Sequence, residues 1–98
     1  MPRYVTLLNW TDQGISNVKQ AIDRLRAADA AIQEAGGKLL SVNYTMGQYD
    51  LVVVAELPDD ETAMTFLVEI AGQGNVRSET LKAFSPDEMQ AILDRASG

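Results

Sequence analysis

Tyr44-Thr45-Met46-Gly47-Gln48-Tyr49-Asp50-Leu51-Val52-Val53-Val54-Ala55 is the stretch that decides the fold. β-Branched and aromatic residues flank a short glycine-containing turn, so it reads as two antiparallel strands, Leu39 to Met46 and Tyr49 to Glu56. Gly47 at the first of two central positions suits a type II′ hairpin, because glycine tolerates positive φ. Met46 then faces Tyr49, and the pairs Tyr44–Leu51, Val42–Val53 and Leu40–Ala55 share one nearly apolar face, expected to meet helices. The opposite face carries Thr45–Asp50, Asn43–Val52, Ser41–Val54 and Leu39–Glu56, and it is mixed. A slip of one residue would exchange the two sets.

Outward from this hairpin the remaining elements follow. Arg3 to Asn9 reads as a strand. Thr11 or Asp12 can cap a helix on which Ile15, Val18, Ile22, Leu25 and Ile32 recur at helical spacing, with Ala28, Ala31 and Ala35 at close-approach positions, until Gly36-Gly37 stops it. Pro58-Asp59-Asp60-Glu61 opens a second helix with acidic groups at its positive end. Ala63, Phe66, Leu67 and Ile70 form its inner stripe, and Gly72 and Gly74 end it. Val76 to Phe84 is a fourth strand. Ser85, Pro86 and Glu88 then form a capping box for a short last helix, expected to dock through Met89, Ile92 and Leu93.

The order is that of an α+β, ferredoxin-like βαββαβ unit with a short C-terminal helix. Strands one and three belong in the middle, with both main helices on one face. The other face, with Val52 and Val54 at its centre, is too apolar to stay wet. A second copy of the chain is therefore expected to cover it, sheet against sheet. Ser41, Asn43, Thr45 and Asp50 would line or rim any space between the sheets. An ordinary half-wet antiparallel sheet is the competing reading.

The chain has 98 residues, which fits one domain over 1–98 and leaves little margin for a core. A net charge of −6 argues against nucleic acid and anionic membranes as partners. Cysteine and histidine are both absent, which removes disulfides, thiolate chemistry, the commonest general base and the commonest metal ligand. No metal site or cofactor is expected. No apolar run is long enough to span a bilayer, and no signal-peptide core is evident, so the cytoplasm is the expected location.

At Gly47-Gln48-Tyr49-Asp50 the chain resembles the GYD-domain family, named for its glycine, tyrosine and aspartate. Tyr4 to Gly14 looks like the family's N-terminal block and Gly74 to Ser85 like its C-terminal block. The resemblance implies a ferredoxin-like unit related to dimeric α/β barrels. It implies little about function.

Candidate site residues follow from the faces. Asp50 beside the turn could accept a proton or bind a cationic group; it could equally bond backbone amides of the turn. Tyr49 is expected in the core. Arg77 and Glu79 lie two apart on a strand, hence on one face. They either pair with each other as surface groups or, facing a cavity, let Arg77 hold an anion. Trp10 either caps the core or walls a pocket mouth. Gly14 is too isolated to be a phosphate loop. Were Met1 removed, Pro2 would present a secondary amine at a strand start, as in tautomerases with a catalytic amino-terminal proline.

Three functions compete. One is a homo-oligomeric module that binds a small molecule or another protein. The next is a small cofactor-free enzyme, monooxygenase- or isomerase-like, which the resemblance to dimeric α/β barrels suggests through Asn43, Tyr44, Trp10 and Arg77. The last, an RNA-binding module on the same topology, lacks the basic charge and exposed aromatics it needs.

Overall fold

The computed structural model describes residues 1–96. Strand β1 (Arg3–Trp10) is followed by a short helix α1 (Asp12–Ser16), a 3-10 turn (Val18–Gln20) and helix α2 (Ala21–Glu34). Then come β2 (Lys38–Tyr44), β3 (Leu51–Glu56), α3 (Asp60–Gln73), β4 (Val76–Ala83) and α4 (Pro86–Ala96). The sheet order is β2-β3-β1-β4, and each neighbouring pair is antiparallel. This is the ferredoxin-like arrangement expected from the order of elements, with β1 and β3 central.

The local signals act as the sequence implies. Thr11 caps α1 by accepting the Gly14 N–H at 3.1 Å. Asp59 caps α3 by accepting the Thr62 N–H at 2.8 Å. Helix α2 ends in a Schellman motif: Gly37 N–H donates to the Ile32 carbonyl, Gly36 N–H to that of Gln33, and Gly36 takes φ +86°. Gly74, not Gly72, terminates α3, in the left-handed conformation. Ser85 and Glu88 form the reciprocal capping box, at 2.8 and 3.1 Å.

The hairpin departs from expectation in two places. From Ser41 to Tyr44 the predicted pairing with β3 holds, but an irregularity between Leu39 and Ser41 shifts what precedes it. Leu39 therefore faces Ala55 and packs against the core, Lys38 faces Glu56, and Leu40 is left exposed. The bulge lets the larger burial win over regular pairing. The turn is also wider than two residues. The Thr45 N–H donates to the Asp50 carbonyl at 2.9 Å and the Thr45 hydroxyl to that of Tyr49. Met46 stands fully exposed instead of facing Tyr49. Asp50 is drawn away to β1, where its N–H donates to the Leu8 carbonyl at 2.9 Å.

Tyr4, Ile32, Ala55, Leu57 and Ala63 make the core, between one face of the sheet and helices α2 and α3. The first helical segment is broken, and its leading apolar residues Ile15, Val18 and Ile22 face solvent, contrary to their spacing. The cause lies at the α3–β4 corner. Thr11 N–H donates to the Asn75 carbonyl at 3.0 Å, and the Thr11 hydroxyl to that of Gly74 at 2.6 Å. These bonds pin α1 against the corner, so α2 starts afresh. Helix α4 does not dock: it is exposed along its length, including Met89, Ile92 and Leu93.

Gly14 is buried where α1 meets that corner, and a Cβ there would lie 2.0 Å from the Asn75 carbonyl oxygen. The two nearest atoms are the backbone carbonyl oxygen and carbon of Asn75, so relief requires moving an element. Gly14→Ala is expected to destabilise the fold by about 1–3 kcal/mol, measured as a lower urea midpoint.

Candidate functional site

Two surfaces offer binding space, one on each side of the sheet. Alternation along the paired strands places Val5, Leu7 and Asn9 of β1, Val52 and Val54 of β3, Ser41 and Asn43 of β2, and Arg77, Glu79 and Leu81 of β4 on the side away from α2 and α3. No described helix packs over this side. Its centre is apolar and its margins are polar, with Arg3 paired to Glu56 at 3.6 Å along one edge. Leu81 and the following Phe84 are exposed and lead into the undocked α4.

The other side holds a cavity of about 260 Å³ between sheet and helices. Tyr4, Thr6 and Leu8 of β1 and Leu51, Val53 and Ala55 of β3 line it from below. Leu25, Ala28, Ala31 and Ile32 of α2 and Phe66, Leu67 and Ile70 of α3 line it from above. Trp10 and Tyr44 belong to the lining and stack on each other, with ring centroids 6.2 Å apart. The Thr6 and Thr80 hydroxyls meet at 3.0 Å across β1 and β4.

The sequence-derived candidates are divided between these places. Asp50 is half-buried, and its carboxylate accepts the Trp10 backbone N–H at 3.0 Å, so it ties the loop to the end of β1. Tyr49 is not in the core. Its hydroxyl donates to Glu79 at 2.8 Å, and that bond, ahead of burial, holds the phenol above its ordinary range. Glu79 thus engages Tyr49; an Arg77–Glu79 ion pair is not formed among the described residues. Arg77 and Asn43 are exposed on the uncovered side, whereas Trp10 and Tyr44 line the cavity on the other. The set named for cofactor-free chemistry is therefore split by the sheet. Pro2 is engaged through its carbonyl, which accepts the Leu57 N–H at 3.1 Å. Groups of acidic residues suited to a metal are absent among the described residues, and no described helix is long and apolar enough to cross a membrane.

The cavity itself was missed by sequence reasoning. A signal existed: Ala28 and Ala31 on the inner face of α2, small residues that suit close approach, also leave volume that leucines would fill.

A family model described as the GYD domain matches residues 4–93. The chain belongs to the GYD domain family. It is 27% identical over 94 residues to a Thermus thermophilus protein named "Glutamine synthetase and cystathionine beta-lyase binding protein", covering 95% of this chain and 99% of that relative. Among solved structures, TTHA0845 from Thermus thermophilus matches with a TM-score of 0.55 and 28% identity, over 87% of this chain and 95% of that one. MtbAldR matches with a TM-score of 0.66 at 15% identity, over 86% of this chain, and that likeness is one of fold. The present chain spans about half of MtbAldR, 52% of its length.

The partly buried polar contacts of this GYD domain can be tested in two ways. Asp50→Ala leaves the Trp10 N–H without its acceptor and is expected to cost about 1–3 kcal/mol, seen in urea titration together with a changed Trp10 emission. The second test concerns Tyr4, whose hydroxyl is pushed up to about 12, first by burial and then by the hydrogen bond it donates to Asp60. A raised folded-state value means stability that is fully present below the ordinary value of 10.0 and is lost as pH climbs to about 12. Asp60 has the opposite sign: the Tyr4 bond, then Lys82, holds it below its ordinary range, so its contribution is lost as pH falls through that lowered value. Urea midpoints of the native chain should drop between pH 10 and 12 more steeply than those of Tyr4→Phe.

Proposed function

We propose that this GYD domain is a homo-oligomeric binding module without catalytic chemistry of its own, in which two chains pack sheet against sheet as a dimeric α/β barrel. The observation that carries it is the uncovered sheet face. Val5, Leu7, Val52 and Val54 lie side by side at its centre, and the exposed Leu81 extends the patch along β4. Each such side chain, if fully buried, stabilises an assembly by roughly 1.5–3 kcal/mol. Ser41, Asn43, Arg77 and Glu79, with the Tyr49 hydroxyl on Glu79, form the polar surround that a specific interface carries around an apolar middle. Such an assembly has one continuous unit per chain over 1–98.

A further protein partner is supported by the printed name of the Thermus relative, a binding protein for two enzymes. The split of Asn43, Tyr44, Trp10 and Arg77 across the sheet favours binding over the enzyme reading. The acidic balance speaks against nucleic acid and anionic membranes as partners, and a chain without cysteine fits a reducing compartment such as the cytoplasm.

Sedimentation velocity across a dilution series tests the reading. The native chain is expected to associate at micromolar concentration. Val54→Lys, on a face that a lone protomer would leave wet, should fold normally yet weaken association by at least about 100-fold, because an unpaired charge would be buried. A native chain that sediments as a monomer throughout, or a variant that associates as well as the parent, refutes it.

A further inference from the structure

The cavity on the helix side lies apart from the uncovered sheet face. Its lining is apolar except for a few groups, and Arg24 of α2 is one of them. The Arg24 Nη1 donates to the Asn17 carbonyl at 2.8 Å. Its Nη2 is buried and has no hydrogen-bond partner among the described residues. A guanidinium stays charged at any ordinary pH, and a buried donor without an acceptor is costly. Glu69 shares the lining but forms no ion pair with Arg24 among the described residues. The chain as a whole is acidic, so an anion is not attracted by general charge and must be recognised locally.

We propose that this cavity binds an apolar monocarboxylic acid, with its carboxylate on Arg24 and its hydrocarbon body among Leu25, Ala28, Phe66 and Leu67. Arg24 lines the cavity, and a turn of its flexible side chain brings the guanidinium onto a carboxylate there, which supplies the charge-assisted acceptor that the enclosed Nη2 lacks. Glu69 disfavours a second negative charge on the ligand, which makes a diacid a poor fit. An apolar cavity of about 150 Å³ takes benzene, so the present volume corresponds to a body of about ten carbon atoms. The site lies within one protomer and so does not depend on the sheet-to-sheet assembly.

Decanoate, below its micellar concentration, is the probe, and 1-decanol is the uncharged control. Trp10, the single tryptophan, lies in the lining and reports occupancy through its emission; calorimetry gives the stoichiometry. Decanoate is expected to bind saturably, one per chain, at least about tenfold tighter than decanol. Arg24→Gln should remove that preference, and Ala28→Phe, which fills the cavity, should abolish binding of both. Val54→Lys should leave decanoate binding intact, so failure of the assembly and failure of this site are told apart. The proposal is overturned by absence of saturable decanoate binding, by decanol binding as tightly, by an unchanged preference in Arg24→Gln, or by undiminished binding in Ala28→Phe. Should Arg24→Gln lose its circular-dichroism signature of folding, the decanoate–decanol comparison on the native chain and the Ala28→Phe result decide alone.

Discussion

A four-stranded sheet has two faces, and this chain supplies one helix layer. Helices α2 and α3 must therefore choose a side, and they take the one with Tyr4, Leu8 and Ala55. Everything else about the surface follows from that choice. Valines and leucines on the remaining face have no internal cover, and the last helix, with Met89, Ile92 and Leu93 exposed, does not return to provide it. The hydrophobic effect is non-directional and scales with area removed from water. That uncovered area is what the proposed sheet-to-sheet assembly would remove from water.

The covered side joins a small apolar core to polar ties at its corners. Thr11 bonds the Gly74–Asn75 corner, Asp50 bonds the end of β1, and Tyr4, buried at the core, reaches Asp60 beside Lys82. Between these ties small residues on α2 and threonines on β1 and β4 leave a cavity with one incompletely satisfied guanidinium. Protein interiors are ordinarily packed closely, and volume kept open is available to a ligand.

Much of this architecture was legible because it is written in short-range signals. The Schellman stop at Gly36-Gly37, the Asp59 and Ser85 caps and the strand pairs from Ser41 to Tyr44 each depend on a few neighbouring residues. The failures were long-range. Leu39 left its expected partner because the core lay on the other face, a fact no local pattern contains. Tyr49 left the core because Glu79, distant in sequence, was placed within its reach. Ile15, Val18 and Ile22 keep helical spacing, yet Thr11 anchors the preceding segment to Asn75 and their face turns outward.

The order of helices and strands, the polar margin around Val52 and Val54, and the lack of histidine and cysteine chemistry are properties of the chain itself, since each depends on residue identity and near-neighbour spacing. Which residues share a site is different. Asn43 and Arg77 fall on one side of the sheet and Trp10 and Tyr44 on the other, while Arg24 comes to face the cavity, only once strand register and helix placement bring distant segments together. That placement is decided by burial summed over the whole molecule, and burial has no local signature.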